Sequence, residues 1–100
     1  MRLVVAIVRP AQVEGVRQAL AAIQVTRLTI CDVHGYGPGA GSEVRQEALL
    51  EIAVNDDFVA ATLATLRATL GEAVEATRLF VLPIDEVVQV DRALRGPEAV

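Results

Sequence analysis

Residues whose side chains could take part in catalysis or metal binding are concentrated in one short segment. Cys31, Asp32 and His34 lie within the apolar run from Arg27 to Tyr36, which has the composition of a β-strand. Side chains alternate between the two faces of a strand, so Cys31 and His34 cannot form a nucleophile–base pair. Asp32 and His34 share a face, but two ligands are too few for zinc unless another subunit contributes. The segment therefore predicts no complete metal site, and Asp32 and His34 are its candidate metal ligands. Cys31 is predicted to be a small packing residue.

Two pairs of adjacent carboxylates have structural explanations. Asp56 and Asp57 stand where a helix is predicted to begin, so capping and the helix dipole account for them. Asp85 and Glu86 follow Pro83 at the end of an apolar run and are typical of a solvated turn. Neither pair comes with a nucleophile or a second basic group that would define a reaction class. The sequence therefore predicts that the chain is not an enzyme.

The segment Gly35-Tyr36-Gly37 allows two interpretations. Closely spaced glycines let a backbone approach a ligand and can form an anion-binding nest, but they are also common in ordinary turns. Four glycines and a proline lie between Gly35 and Ser42, which predicts a flexible loop. The residues alone leave ligand binding and a plain turn as alternatives.

Composition excludes several classes of function. The net charge is −4 and the sequence pI is near 4.8, so no broad basic surface is available for nucleic acid. All nine basic residues are arginine, which excludes Walker-type phosphate loops and lysine Schiff-base chemistry. Cys31 is the one cysteine, as expected in a reducing compartment. No apolar run is long enough to cross a membrane and no signal peptide is recognisable, so we expect a soluble, cytoplasmic chain without membrane insertion.

Hydrophobic periodicity predicts six elements in the order β-α-β-β-α-β within one domain, residues 1–100. The two helices are expected from Pro10 to Gln24 and from the Asn55 region to Leu70. Strands are expected at Arg2–Val8, Arg27–Tyr36, Val44–Val54 and Thr77–Leu82. A short extension, Glu86 to Val90, and a polar tail follow. This order is typical of the α+β ferredoxin-like sandwich, in which two helices cover one face of a four-stranded antiparallel sheet.

The first and fourth predicted strands are apolar on both faces. In the fourth, Leu79 and Val81 alternate with Phe80 and Leu82. Two helices can cover only one face of the sheet, so the second face needs another cover. Self-association is the simplest one, and the sequence therefore predicts an oligomer.

Several short motifs, taken together, resemble the PII signal-transduction proteins. The matching segments, in chain order, are Ala6–Pro10, Leu28–Ile30, Val33–Gly37, Glu51–Asp57, Leu79–Val88 and Arg95–Val100. This resemblance implies a homotrimer that regulates a partner protein, with adenine nucleotide bound in clefts between subunits. It places the following residues at positions similar to those lining the adenosine end: Ile7, Thr29, Gly35, Gly37, Glu51 and Ala53. Tyr36 lies between the two glycines and completes that candidate segment.

The chain departs from the family pattern where the family binds phosphate. The usual glycine- and lysine-rich loop is replaced by a run that includes Glu72 and Glu75, and two usual arginines are replaced by Gln89 and Asp91. Carboxylates repel a triphosphate in a partly desolvated cleft. The cations left near this end are Arg78, Arg92 and Arg95. Because of these changes, the resemblance predicts weakened or lost ATP binding.

The loop after Gly37 is also shorter than the family's partner-contacting loop. It begins Pro38-Gly39, lacks the glutamine that helps hold Mg-ATP and 2-oxoglutarate, and carries no tyrosine that could be uridylylated. We therefore expect 2-oxoglutarate sensing to be weakened or lost as well. Such a pattern resembles divergent PII-like branches that answer to other ligands or partners.

The leading hypothesis is a non-catalytic PII-like regulator, a homotrimer that binds a small ligand at inter-subunit clefts. Its regulated partner would be a membrane transporter or an enzyme. One alternative is a PII-like protein that still binds ADP or AMP in a nitrogen, inorganic-carbon or metal-efflux setting. Another is a trimeric metal-binding protein of copper-tolerance type that uses Asp32 and His34, with Cys31 as a further candidate ligand. A small ferredoxin-like enzyme is the third, since this scaffold also carries isomerases and hydrolases.

Overall fold

The computed structural model describes residues 1–37, 43–71 and 77–100. Its main sheet contains four antiparallel strands: β1 (Arg2–Val8), β2 (Thr29–Gly35), β3 (Arg45–Val54) and β4 (Leu79–Pro83). Their order across the sheet is β2-β3-β1-β4. Two predicted features, the loop of residues 38–42 and the carboxylate-bearing run 72–76, lie outside the described residues.

Two helices pack together on one face of this sheet. Helix α1 is Val13–Ala22 and helix α2 is Val59–Leu70, and each is preceded by one turn of 3-10 helix. Val16 and Leu20 of α1 and Leu66 and Leu70 of α2 are buried, in the apolar stripes that the sequence predicts. This arrangement confirms the predicted ferredoxin-like α+β fold.

The predicted end of α1 at Gln24 and the predicted start of β2 at Arg27 are each wrong by two residues, because of how α1 ends. Gln24 has a φ of 70°, in the left-handed region, which stops the helix before the predicted end. The Val25 N–H then donates to the Leu20 carbonyl at 3.0 Å, and the Val25 side chain is buried. The chain therefore remains bonded to the helix end as far as Val25, and β2 begins only at Thr29.

The core lies between the helices and one side of the sheet. Its strand residues alternate along β1 and β3 and comprise Val4, Ala6, Val8, Ala48, Leu50, Ile52 and Val54. The residues between them project from the other side, which no helix covers and which we call the open face. Its apolar members include Leu3, Val5, Ile7, Leu49, Phe80 and Leu82. Phe80 is 48% exposed and Leu82 is 44% exposed, as expected of a surface that needs a further cover.

The C-terminal region is more structured than the sequence predicts. Strands β5 (Val88–Gln89) and β6 (Leu94–Arg95) form a small hairpin, followed by a 3-10 turn. The Gly96 N–H donates to the Val87 carbonyl at 2.8 Å, and the Asn55 side-chain amide donates to the Pro97 carbonyl at 3.1 Å. Ala99 is buried. The prediction of a merely polar tail is therefore wrong, because this segment packs back onto the end of β3.

Candidate functional site

Four of the predicted ligand residues, Ile7, Thr29, Glu51 and Ala53, lie on the open face. Thr29 stands opposite Glu51 on neighbouring strands, and antiparallel partners share a face of the sheet. Ala53 is two residues further along β3, and Ile7 lies on the same face in β1. The structure therefore brings Thr29 and Glu51 into direct register and places Ala53 beside them.

Three further residues of the predicted set, Gly35, Tyr36 and Gly37, lie at the opposite end of the sheet. Gly35 pairs with Arg45 at the start of β3, and Tyr36 and Gly37 follow it into the loop. Ala53 lies eight residues further along β3 than Arg45. At ~3.3 Å per residue, about 26 Å separates the two ends. One small ligand cannot contact Gly35 and Ala53 of the same chain.

The loop end of the open face is acidic and crowded. A β-carbon built on Gly35 would lie 2.5 Å from the Glu47 carboxyl carbon. This carboxylate is 20% exposed and lies 3.6 Å from the Arg45 guanidinium. Tyr36, in contrast, is 71% exposed. The backbone at Gly35 is therefore covered by a carboxylate, and Tyr36 is free to contact another molecule.

The other end carries a pocket of about 290 Å³. It lies between the connection from α1 to β2, the end of β3 and the C-terminal hairpin. Ala53 and Arg92 of the predicted set line it, together with Arg27, Asn55 and Glu98. The sequence prediction did not include Arg27, although this residue lies only two positions before Thr29, which the prediction did include.

The two other predicted arginines do not line this pocket. Arg95 forms an ion pair with Glu86 and is thereby engaged with a carboxylate. This pair also shows that Glu86, which the sequence assigns to a solvated turn, has a specific partner. Arg78 is exposed just before β4. The structure thus brings Arg92, but neither Arg78 nor Arg95, to the pocket.

The carboxylate pair at the start of α2 has a role that differs from the predicted cap. The 3-10 turn there is Asp56–Phe58, and no side-chain hydrogen bond caps it or α2. Asp56 instead accepts a hydrogen bond from the N-terminal ammonium of Met1 at 2.7 Å. The register of β1 with β3 sets Arg2 opposite Val54 and so brings these groups together. The ammonium lowers the pKa of the Asp56 carboxyl below its usual value.

The candidate metal ligands remain a pair. Asp32 and His34 lie two residues apart on β2, both exposed, opposite Ala48 and Gln46. Within residues 1–37, 43–71 and 77–100, no three histidine, cysteine or acidic side chains form a cluster that could hold a metal ion. Cys31 projects from the other face of the strand, opposite Leu49. The described residues therefore supply no third metal ligand beside Asp32 and His34.

Within residues 1–37, 43–71 and 77–100, no helix is both long enough and apolar enough to cross a membrane.

The sequence of this chain is similar to those of known regulatory proteins. A family profile described as nitrogen regulatory protein P-II matches residues 1–93. Nitrogen regulatory protein GlnK1 of Methanosarcina mazei is 31% identical over 114 aligned positions, which cover all of this chain and 97% of that protein. A P-II protein of Rhizobium etli is 29% identical over 99% of each chain. A P-II homologue of Arabidopsis thaliana is 33% identical over 94% of this chain and 55% of its own length. The chain belongs to the P-II family of nitrogen regulatory proteins.

Proposed function

We propose that this P-II family member is a regulatory homotrimer that binds a small ligand in clefts between its subunits and controls a partner protein. Its role is to signal and not to catalyse, in keeping with its family. The partner is a transporter or an enzyme whose activity depends on the ligand state. The exposed Tyr36 and the loop that follows it are the proposed contact region.

The separation of the predicted residues along the sheet carries this proposal. Gly35 and Ala53 lie at opposite ends of β3, about 26 Å apart at ~3.3 Å per residue. A ligand that contacts both positions must therefore lie between two copies of the chain. The open face, with Phe80 and Leu82 about half exposed, supplies the apolar surface that such copies would bury.

The charges near the predicted site support weakened sensing of ATP and 2-oxoglutarate. Glu47 covers Gly35 at the loop end. At the other end Arg95 is paired with Glu86. A nucleoside triphosphate needs several unpaired cations in a desolvated cleft, and these carboxylates oppose it.

Titration calorimetry on the purified protein tests this proposal. Mg-ATP, ADP, AMP and bicarbonate would each be titrated, with and without 2-oxoglutarate. We expect Mg-ATP to bind weakly, with no gain from 2-oxoglutarate, and a ligand with fewer negative charges to bind more tightly. Micromolar Mg-ATP binding that 2-oxoglutarate strengthens would contradict the weakened-sensing part of the proposal.

A further inference from the structure

The pocket beside Ala53 is lined by charges of both signs. Arg27 and Arg92 supply the positive charges, and the negative ones are the Glu98 side chain and the terminal carboxylate at Val100. These groups come from the connection before β2 and from the C-terminal segment, which are distant in the sequence. With two charges of each sign the pocket has no net charge, so it favours neither a simple anion nor a simple cation.

The opposite charges of the pocket do not neutralise one another directly. Among the described residues, neither Arg27 nor Arg92 forms an ion pair with Glu98 or with the terminal carboxylate. The guanidinium groups therefore retain their capacity to donate hydrogen bonds, and the carboxylates retain theirs to accept them. A bound molecule that carries both charges would satisfy the two sets of groups at once.

Two further residues of the pocket have an oxygen atom without a hydrogen-bond donor. The side-chain carbonyl oxygens of Asn55 and Gln89 are buried and have no partner within the described part of the chain. The Asn55 amide nitrogen donates to the Pro97 carbonyl, which fixes the orientation of this amide. A buried acceptor without a donor is costly. The polar wall of the pocket thus lacks donors, and an ammonium group has three N–H bonds to offer.

The size and the apolar lining of the pocket restrict the rest of the ligand. A volume of about 290 Å³ is at the small end for organic ligands. Its apolar lining includes Val25, Phe58 and Leu94, and Phe58 is 37% exposed. A hydrocarbon side chain buried against these residues would add to the affinity. A further charge on the ligand would instead unbalance the neutral pocket.

We propose that this pocket binds a small α-amino acid with an apolar side chain. Arg27 and Arg92 bind its carboxylate. The Glu98 carboxylate and the oxygens of Asn55 and Gln89 accept hydrogen bonds from its ammonium group. The inference goes beyond the proposed function, because all these residues belong to one chain and the pocket does not depend on the trimer.

Leucine and two analogues that each lack one of its charges test this inference. Isocaproate keeps the carboxylate of leucine, and isoamylamine keeps the ammonium group. NMR titration of the isotope-labelled protein gives the dissociation constants from the shifts of backbone amides around the pocket. We expect leucine to bind at least about tenfold more tightly than either analogue, because only leucine pairs with both sets of charges. Glutamate, which has an additional negative charge, should bind more weakly than leucine.

Substitutions on the two sides of the pocket should separate the roles of the two charges. Arg92→Ala should weaken leucine binding about tenfold and leave isoamylamine binding, which involves no carboxylate, unchanged. Glu98→Gln should weaken leucine binding to a similar extent and leave isocaproate binding unchanged. Arg67→Ala on α2 and Glu43→Gln before β3 remove the same charges at exposed positions outside the pocket, and both should behave as the wild type.

The inference is overturned if leucine at millimolar concentrations shifts no amides of the pocket, or if it binds no more tightly than its analogues. Pocket variants that weaken leucine and both analogues equally would also contradict it. Sedimentation equilibrium on the same samples separates this failure from that of the proposed function. A trimer that does not bind leucine removes only the inference, and a monomer that binds leucine contradicts only the proposed function.

Discussion

The carboxylate of Glu47 lies over the α-carbon of Gly35, so that a β-carbon at position 35 would meet both carboxylate oxygens at 2.5 to 2.6 Å. A β-carbon at position 35 would displace this carboxylate, and the obstacle is the far end of a flexible side chain and not backbone. The two residues occupy neighbouring strands at the loop end of the open face. Their contact is therefore expected to appear as an energetic coupling.

A double-mutant cycle measures that coupling. Gly35→Ala should lower the free energy of unfolding by about 1 kcal/mol, because Glu47 must leave its position near Arg45. In the Glu47→Ala background the same change should cost less, with a coupling energy of roughly 0.5 to 1 kcal/mol. Urea unfolding supplies all four values. The control cycle uses Glu51→Ala, whose side chain is opposite Thr29, and should be additive. Additivity in the Glu47 cycle would show that this contact has no energetic role.

Among the described residues, Thr62 is the one fully buried polar side chain. Its hydroxyl has no hydrogen-bond partner among these residues. Thr62→Val removes that hydroxyl and keeps the shape of the side chain. Since an unsatisfied buried polar group costs ~1 to 3 kcal/mol, the variant should be more stable by about 1 kcal/mol. Thr69 is the control, because its exposed hydroxyl donates to the Thr65 carbonyl at 2.8 Å. Thr69→Val should change stability by less than ~0.5 kcal/mol. A loss of stability in Thr62→Val would indicate that the hydroxyl is satisfied in solution.

Two glycines should respond to alanine in opposite ways. Gly15 lies within α1, and an added β-carbon would meet only Thr69 at 4.0 Å. Gly15→Ala should therefore stabilise the protein by ~0.5 to 1 kcal/mol through helix propensity. Gly71 ends α2 with φ 72° and ψ 167°, a conformation that is nearly restricted to glycine. Gly71→Ala should cost about 1 kcal/mol or more. Denaturant midpoints that move in the same direction for both variants would contradict this assignment.

The bond between the Met1 ammonium and Asp56 should make stability depend on pH. The ammonium lowers the folded-state pKa of Asp56 below 3.8. Protons therefore bind the unfolded chain more readily, so the contribution is complete above pH ~3.8 and is lost as pH falls through the folded-state pKa. Asp56→Asn should lower stability at neutral pH, and the difference should vanish in acid. Asp57→Asn, at the next position, is the control and should lack this pH-dependent difference. An Asp56→Asn deficit that persists unchanged in acid would rule out the ion pair as its cause.

The sequence predicts the sheet and its open face well because the signals are local. In β1 both alternating sets are apolar, which identifies a strand that needs a cover on each side, and its bounds are confirmed at Arg2–Val8. The apolar residues at helical spacing also predict the buried faces of α1 and α2. Thr62 is the exception, because a polar residue would not be predicted at a fully buried position.

What the sequence does not predict depends on contacts between distant residues. The β5–β6 hairpin has two-residue strands, too short to show a periodicity, and the 3-10 turn after it accepts a hydrogen bond from Asn55, a residue distant in the sequence. Arg27 and Arg92 line one pocket because of the path of the C-terminal region, and Met1 reaches Asp56 because of the register of β1 with β3. Local propensity contains neither kind of information.

We expect copies of this chain to associate through the open face and so to complete the proposed ligand cleft. Sedimentation equilibrium of the purified protein without added ligand tests it most directly. The account predicts a species of three times the 10.6 kDa chain mass. It also predicts that Phe80→Glu, which places a charge on the open face, dissociates this species and abolishes ligand binding. A wild-type protein that sediments as a 10.6 kDa monomer at micromolar concentrations, and that binds its ligand in that state, would contradict the account.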